Sequence, residues 1–143
     1  MIKTIKIIGL LLVISSCNSN EKKKMADTAY NNETSQIEAS IKRGKIVYDD
    51  MCITCHMANG EGVPRAFPPI AGSDYLKDNQ NGSIKAVKYG MSGEIIVNGI
   101  TYNGAMSPLG LSDKEIADVM NYINNSWGNT IDNLVTPDKV SEL

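Results

Sequence analysis

Three of the four cysteine and histidine residues in this 143-residue chain fall within five positions, Cys52-Ile-Thr-Cys55-His56. Each chemistry open to such a cluster makes its own demand on the rest of the chain. A structural zinc site needs four ligands. Cys17 is the one other cysteine and there is no second histidine, so a carboxylate would have to complete the set. A dithiol of the thioredoxin kind belongs after a strand in a βαβ setting, and no such alternation is visible. Paired histidines or a Ser-His-Asp triad are poorly served by a chain whose sole histidine is His56. Covalent attachment of a haem uses all three residues. Cys52 and Cys55 form thioethers with its two vinyl groups, one helical turn matches the vinyl spacing, and His56 turns its imidazole to the iron.

The iron then needs a sixth ligand or an open position. Bis-histidine ligation is outside the reach of a single chain with one histidine. Methionine is the next donor, and there are seven. Met1 lies at the extreme N-terminus, Met25 in a polar stretch, Met51 and Met57 beside the motif, and Met120 within a helical pattern that reads as core. Met91, in KYGMSGE, and Met106, in YNGAMSPLG, remain. Met106 is the better placed. It follows His56 by 50 residues, enough chain to wrap the group, and its Asn, Gly and Pro neighbours predict a loop. A helix follows directly, with Ser112 and Glu115 spaced as a capping box.

Those residues must be carried by a small domain. An apolar content of 42% is compatible with a folded core, and an aromatic content of 6% leaves that core light in large side chains, a deficit a prosthetic group can fill. Formal net charge is −2, with no basic run that reads as a nucleic-acid footprint. Lys3, Lys6 and the apolar run IIGLLLVI over residues 7–14 have the form of a signal peptide, too short to span a bilayer. The VISSC that follows resembles a bacterial lipobox, which implies cleavage after residue 16 and lipid attachment at Cys17. Loss of Lys3 and Lys6 leaves 12 basic against 16 acidic residues, an acidic mature chain steered weakly to its partners. Residues 17–36 are polar and lack periodicity, and predict a flexible tether. Residues 37–130 form the domain, and residues 131–143 a mostly polar tail.

Two stretches, GKIVYDDMCITCHMANGEGVPRAFPPIAGSDYL and GEIIVNGITYNGAMSPLGLSDKEIADVMNYINNSWGN, resemble the beginning and end of a class I cytochrome c domain. The likeness is closest to the small bacterial domains that occur alone or fused to copper nitrite reductases and other periplasmic oxidoreductases. It covers residues 37–130. It departs at Ser107, where the family often has proline directly after the ligand methionine; Pro108 stands one step later. The resemblance implies an all-α fold of helices wrapped around one covalent haem c. It also implies a crossing of the first and last helices, with Gly44 and Tyr48 against Val119 and Tyr122. In that fold the Pro68 carbonyl accepts a hydrogen bond from His56 Nδ1 and Ile70 packs near the haem edge. The segment EIIVNGITY predicts a short β-hairpin with an Asn98-Gly99 turn before the methionine loop. Tyr75, Tyr102, Trp127 and Arg65 are candidate partners of the haem propionates.

Ligation by His56 and Met106 closes the iron and describes a one-electron carrier, not an enzyme. The expected partners are redox proteins: a quinol-oxidising complex, a terminal oxidase, or a periplasmic reductase or dehydrogenase. No small-molecule substrate and no nucleic acid is expected. The lipid anchor predicts a periplasm-facing envelope location. Asn18 after the cysteine lacks the acidic retention signal, which favours the outer membrane. The competing readings are a haem enzyme or gas sensor with an open sixth site, and a haem-free dithiol or metal module.

Overall fold

The computed structural model describes residues 19–143, with side chains from residue 34 onward. Residues 1–16, expected to be a signal peptide, and Cys17 lie outside the described residues. Among these there are six helices and one two-stranded antiparallel sheet. The helices are α1 (Ser19–Met51), α2 (Ile53–His56), α3 (Asp74–Asp78), α4 (Gln80–Tyr89), α5 (Asp113–Asn124) and α6 (Pro137–Ser141); the strands are β1 (Met91–Val97) and β2 (Ile100–Met106).

The ends of these elements follow from local chemistry. Ser112 accepts from the Glu115 backbone N–H, and Glu115 reaches back to the Ser112 N–H at 2.8 Å, so the capping box opens α5. Asn79 caps α4 through the Gly82 N–H, and Gly90 ends it at φ +75°. Asn98 and Gly99 both hold positive φ, at 51° and 75°. That is the two-residue turn whose twist suits a hairpin.

The core forms where α1 crosses α5. Tyr48, Ile116 and Met120 are fully buried and Val119 nearly so, each contributing about 1.5–3 kcal/mol by its removal from water. The crossing is close because Gly44 has no side chain: a Cβ there would overlap the Asp118 carbonyl and come 2.8 Å from Tyr122 Cβ. The Tyr48 and Tyr122 rings meet at 5.5 Å and Trp127 completes a three-ring cluster. Gly44 thus seats on Tyr122, as expected, and on the Asp118 carbonyl beside it.

Two expectations are corrected, on residues 19–36 and on the hairpin, and the mostly polar tail gains a place. Residues 19–36, expected as a flexible coil, are helical and continuous with α1, which is about 50 Å long at 1.5 Å per residue. No proline or glycine interrupts residues 19–43, so nothing local stops the helix. The polar tail is docked: Val135 and Val140 are buried. Asn121 ties the tail down by donating to the Val135 carbonyl and accepting from its N–H, both at 2.8 Å. The hairpin is longer than residues 94–102, and Met106 is the last residue of β2 instead of a loop residue.

Candidate functional site

The C-terminal end of α1 delivers the Cys-x-x-Cys-His motif. Cys52 N–H donates to the Tyr48 carbonyl at 2.9 Å, and His56 N–H to the Cys52 carbonyl at 3.0 Å, so α2 continues the helical path. Met57, at φ +64°, breaks that path, and the Tyr48 hydroxyl holds its carbonyl at 2.7 Å. Cys52, Cys55 and His56 all line one cavity of about 370 Å³.

A strap of residues 60–70 forms a second wall. Ile70 N–H donates to the Gly60 carbonyl at 2.7 Å, and Val63 and Phe67 exchange two backbone hydrogen bonds. The strap brings the Pro68 carbonyl to 3.0 Å from His56 Nδ1. A carbonyl only accepts, so Nδ1 carries the proton and the other ring nitrogen keeps its lone pair. Burial lowers the His56 pKa, and the Pro68 carbonyl only partly offsets this. The imidazole is therefore neutral, the form able to bind a metal.

The Cys52 thiol is poorly tuned for disulfide exchange. Cys52 and Cys55 are both unpaired. Burial first, and the neighbouring Cys55 second, push the Cys52 thiol up to about 11, whereas reactive dithiols have depressed values. Among the described residues no group of three His, Cys, Asp or Glu is arranged to hold a metal ion. These properties oppose the dithiol and zinc readings. A half-buried thiol kept protonated beside a neutral imidazole fits a covalently tethered, iron-centred group.

The hairpin supplies the third wall. Its register pairs Met91 with Met106, Gly93 with Gly104, and Ile95 with Tyr102. Strand alternation puts these pairs on one face, and all six residues line the cavity. The Gly93–Gly104 pair leaves bare backbone in its middle. A Cβ on Gly93 would project into open space, and one on Gly104 would meet only the Ala66 carbonyl at 3.7 Å. The bare strip leaves room on that wall for a flat group. Sequence reasoning missed both glycines. The signal was present, because the Asn98-Gly99 turn fixes the register that pairs them.

A second cavity of about 100 Å³, apolar and lined by Ile70, Leu76, Val97 and Ile123 among others, adjoins the first. Cys52, His56, Pro68, Met91, Ile95 and Met106 line both. The structure thus gathers Cys52, Cys55, His56, Pro68 and Met106 at the larger cavity, while Ile70 lies in the smaller one alone. Tyr102 is buried in the first and Tyr75 lines the second. Trp127 lines neither and is held in the aromatic cluster. Arg65 is exposed outside both.

Residues 41–127 match the sequence model of the family described as Cytochrome c. Cytochrome c-552 of Thermus thermophilus is 44% identical over 82 residues, covering 54% of this chain and 63% of that protein. A second cytochrome c-552 of the same species is also 44% identical, with 55% of its length covered. The cytochrome c subunit of the quinone alcohol dehydrogenase of Gluconobacter oxydans is 33% identical over 105 residues, 70% of this chain and 21% of that subunit. The chain thus spans less than two thirds of the length of these relatives.

Proposed function

The chain belongs to the cytochrome c family, and from that premise we propose that it passes single electrons between redox proteins through an iron held by His56 and Met106. Covalent haem c is the cofactor of this family and its relatives. That group supplies the one-electron couple; the residues around it decide how the couple is used.

The observation that carries the reading is the convergence of Cys52, Cys55, His56 and Met106 on one cavity. Cys52 and Cys55, both free thiols at the cavity wall, would hold the group through two thioethers. His56 offers its free ring nitrogen while Pro68 keeps the Nδ1 proton. That hydrogen bond fixes the ring and raises its basicity. Met106 contributes a neutral thioether, which favours the reduced state and raises the potential. Gly93 and Gly104 leave the hairpin backbone bare on that wall, so a flat face would find room against it. Ile95 and Ile70 keep water from the ring. Held by His56 and Met106 together, the iron would exchange electrons without offering a place to oxygen or peroxide, and no substrate would be turned over.

Electrons enter and leave where the cavity wall is exposed, near Met51 and Phe67, which are 43% and 39% accessible. Encounters there are small and short-lived. The partners in this reading are a quinol-oxidising complex, a terminal oxidase, or a periplasmic reductase or dehydrogenase. One relative is itself the cytochrome c subunit of a quinone alcohol dehydrogenase. The reading extends to a lipid anchor at Cys17 after removal of residues 1–16, and to a periplasm-facing site on the outer membrane. There α1, beginning at Ser19, would join the anchor to the haem motif.

The test is covalent attachment and its stoichiometry. Haem should stay with the denatured chain, one per chain, and titrate as a one-electron couple. Cys55→Ser should lose the second thioether and most of the holo-protein. A Cys55→Ser chain with normal haem content and spectrum would refute double attachment.

A further inference from the structure

Met91 and Met106 are directly opposite each other at the open end of the hairpin. Antiparallel partners have Cβ atoms about 4.5–5.5 Å apart on the same face of the sheet. Here that face is the cavity wall. Among the described methionines, these two alone line both cavities; Met51 lines only the larger, Met120 only the smaller, and Met57 neither.

The backbone keeps the pair together. A Cβ on Gly90 would overlap the Met106 carbonyl and come 2.9 Å from Pro108 Cδ. The two strand ends therefore touch with no side chain between them. Three rotatable bonds give a methionine sulfur a wide reach from a fixed Cα. Both donors are neutral thioethers, so exchange of one for the other breaks one iron–sulfur bond, forms another, and moves no proton or charge.

We propose that Met91 is a reserve axial donor that takes the iron when the Met106 sulfur is lost. The proposal rests on His56/Met106 ligation in the resting protein. It gives the site a fail-safe: removal of one sulfur leaves a closed electron-transfer centre instead of an open one that binds small ligands.

The experiment compares holo wild type, Met106→Ala, Met91→Ala and the double variant by oxidised optical spectra and by carbon monoxide titration of the reduced forms. Wild type and Met91→Ala should keep the sulfur-to-iron charge-transfer band. Met106→Ala should keep a shifted band and bind carbon monoxide at least ten-fold more weakly than the double variant, which should lose the band. If Met106→Ala matures poorly, Met106→Val, a strand-favouring residue at the end of β2, gives the same readout. Loss of the band in Met106→Ala or Met106→Val, with carbon monoxide binding equal to the double variant, overturns the proposal. Loss in Met91→Ala alone also overturns it, since Met91 would then be the resting ligand. A wild type without the band refutes the His/Met reading itself.

Discussion

His56 Nδ1 lies 3.0 Å from the carbonyl oxygen of Pro68, 12 residues further along the chain. The bond joins the helical motif to the strap, and the strap is seated on Gly62. A Cβ at Gly62 would overlap the Phe67 carbonyl and come 2.7 Å from that of Pro68, and the residue holds φ +64°. Gly62→Ala should therefore push the Pro68 carbonyl away from the imidazole. The expected result is a loss of about 1–3 kcal/mol in stability and a higher potential, because a less basic imidazole stabilises the oxidised iron less. Denaturant unfolding and potentiometric titration measure the two effects. An unchanged potential would mean that the bond does not tune the iron.

The Gly93–Gly104 slot predicts a defect of loading more than of folding. Valine favours strands, and a Cβ on Gly104 meets only the Ala66 carbonyl, at 3.7 Å. Gly104→Val should keep the hairpin and reduce covalent haem incorporation several-fold. Haem content per chain, set beside circular dichroism of the unloaded protein, decides this. Normal loading would show that the planar group does not lie on the bare strip.

How much of this was legible depended on how local each signal was. Cys52, Cys55, His56, the Ser112–Glu115 capping box and the Asn98-Gly99 turn act within a few residues of chain and could be read directly. The Met91–Met106 pairing was one step further: a two-residue turn after Val97 makes each pair of partners sum to the same register, but Gly93 and Gly104 interrupt the β-rich pattern and hid the extension. The tail was illegible because its few apolar residues show no helical or strand period, and Val135 is tied down by Asn121, 14 residues back in α5. Helicity over residues 19–36 was hidden because the segment has no clear apolar stripe, the feature from which a helix is normally read.

Gly44→Ala tests the helix crossing by the sign of its effect. In an exposed helix this change gains about 0.5–1 kcal/mol. Here the added Cβ would meet the Asp118 backbone and Tyr122 Cβ, and a backbone atom cannot swing aside. The expected outcome is destabilisation by about 3 kcal/mol, read as a lower Tm. A stabilised variant would show that α1 and α5 do not approach so closely.

Asp118 predicts part of the acid limb of stability. It is almost fully buried and accepts from Arg43 at 2.7 Å, Lys114 at 2.8 Å and Ser40 at 2.7 Å. Burial pushes its pKa up, but the bonds from Arg43, Lys114 and Ser40 outweigh burial and hold it below its ordinary value of 3.8. A depressed folded value means that this stabilisation is present above the unfolded pKa and is lost as pH falls through the folded one. Asp118→Asn should cost about 2 kcal/mol near neutral pH, discounted from a fully buried pair because Arg43 and Lys114 are solvated. The cost should shrink below pH 3.8. Urea unfolding across pH measures it, and a cost independent of pH would show that the carboxylate charge contributes nothing.

Everything proposed for the function depends on an iron closed on both faces, by His56 and by Met106. The optical spectrum of the matured holo-protein, recorded oxidised, reduced, and reduced under carbon monoxide, reads that closure without any substitution. Closure predicts a low-spin c-type spectrum, a weak sulfur-to-iron charge-transfer band in the oxidised form, and no change on adding carbon monoxide. A high-spin spectrum with ready carbon monoxide binding would contradict it and make the site an open one, suited to sensing or catalysis.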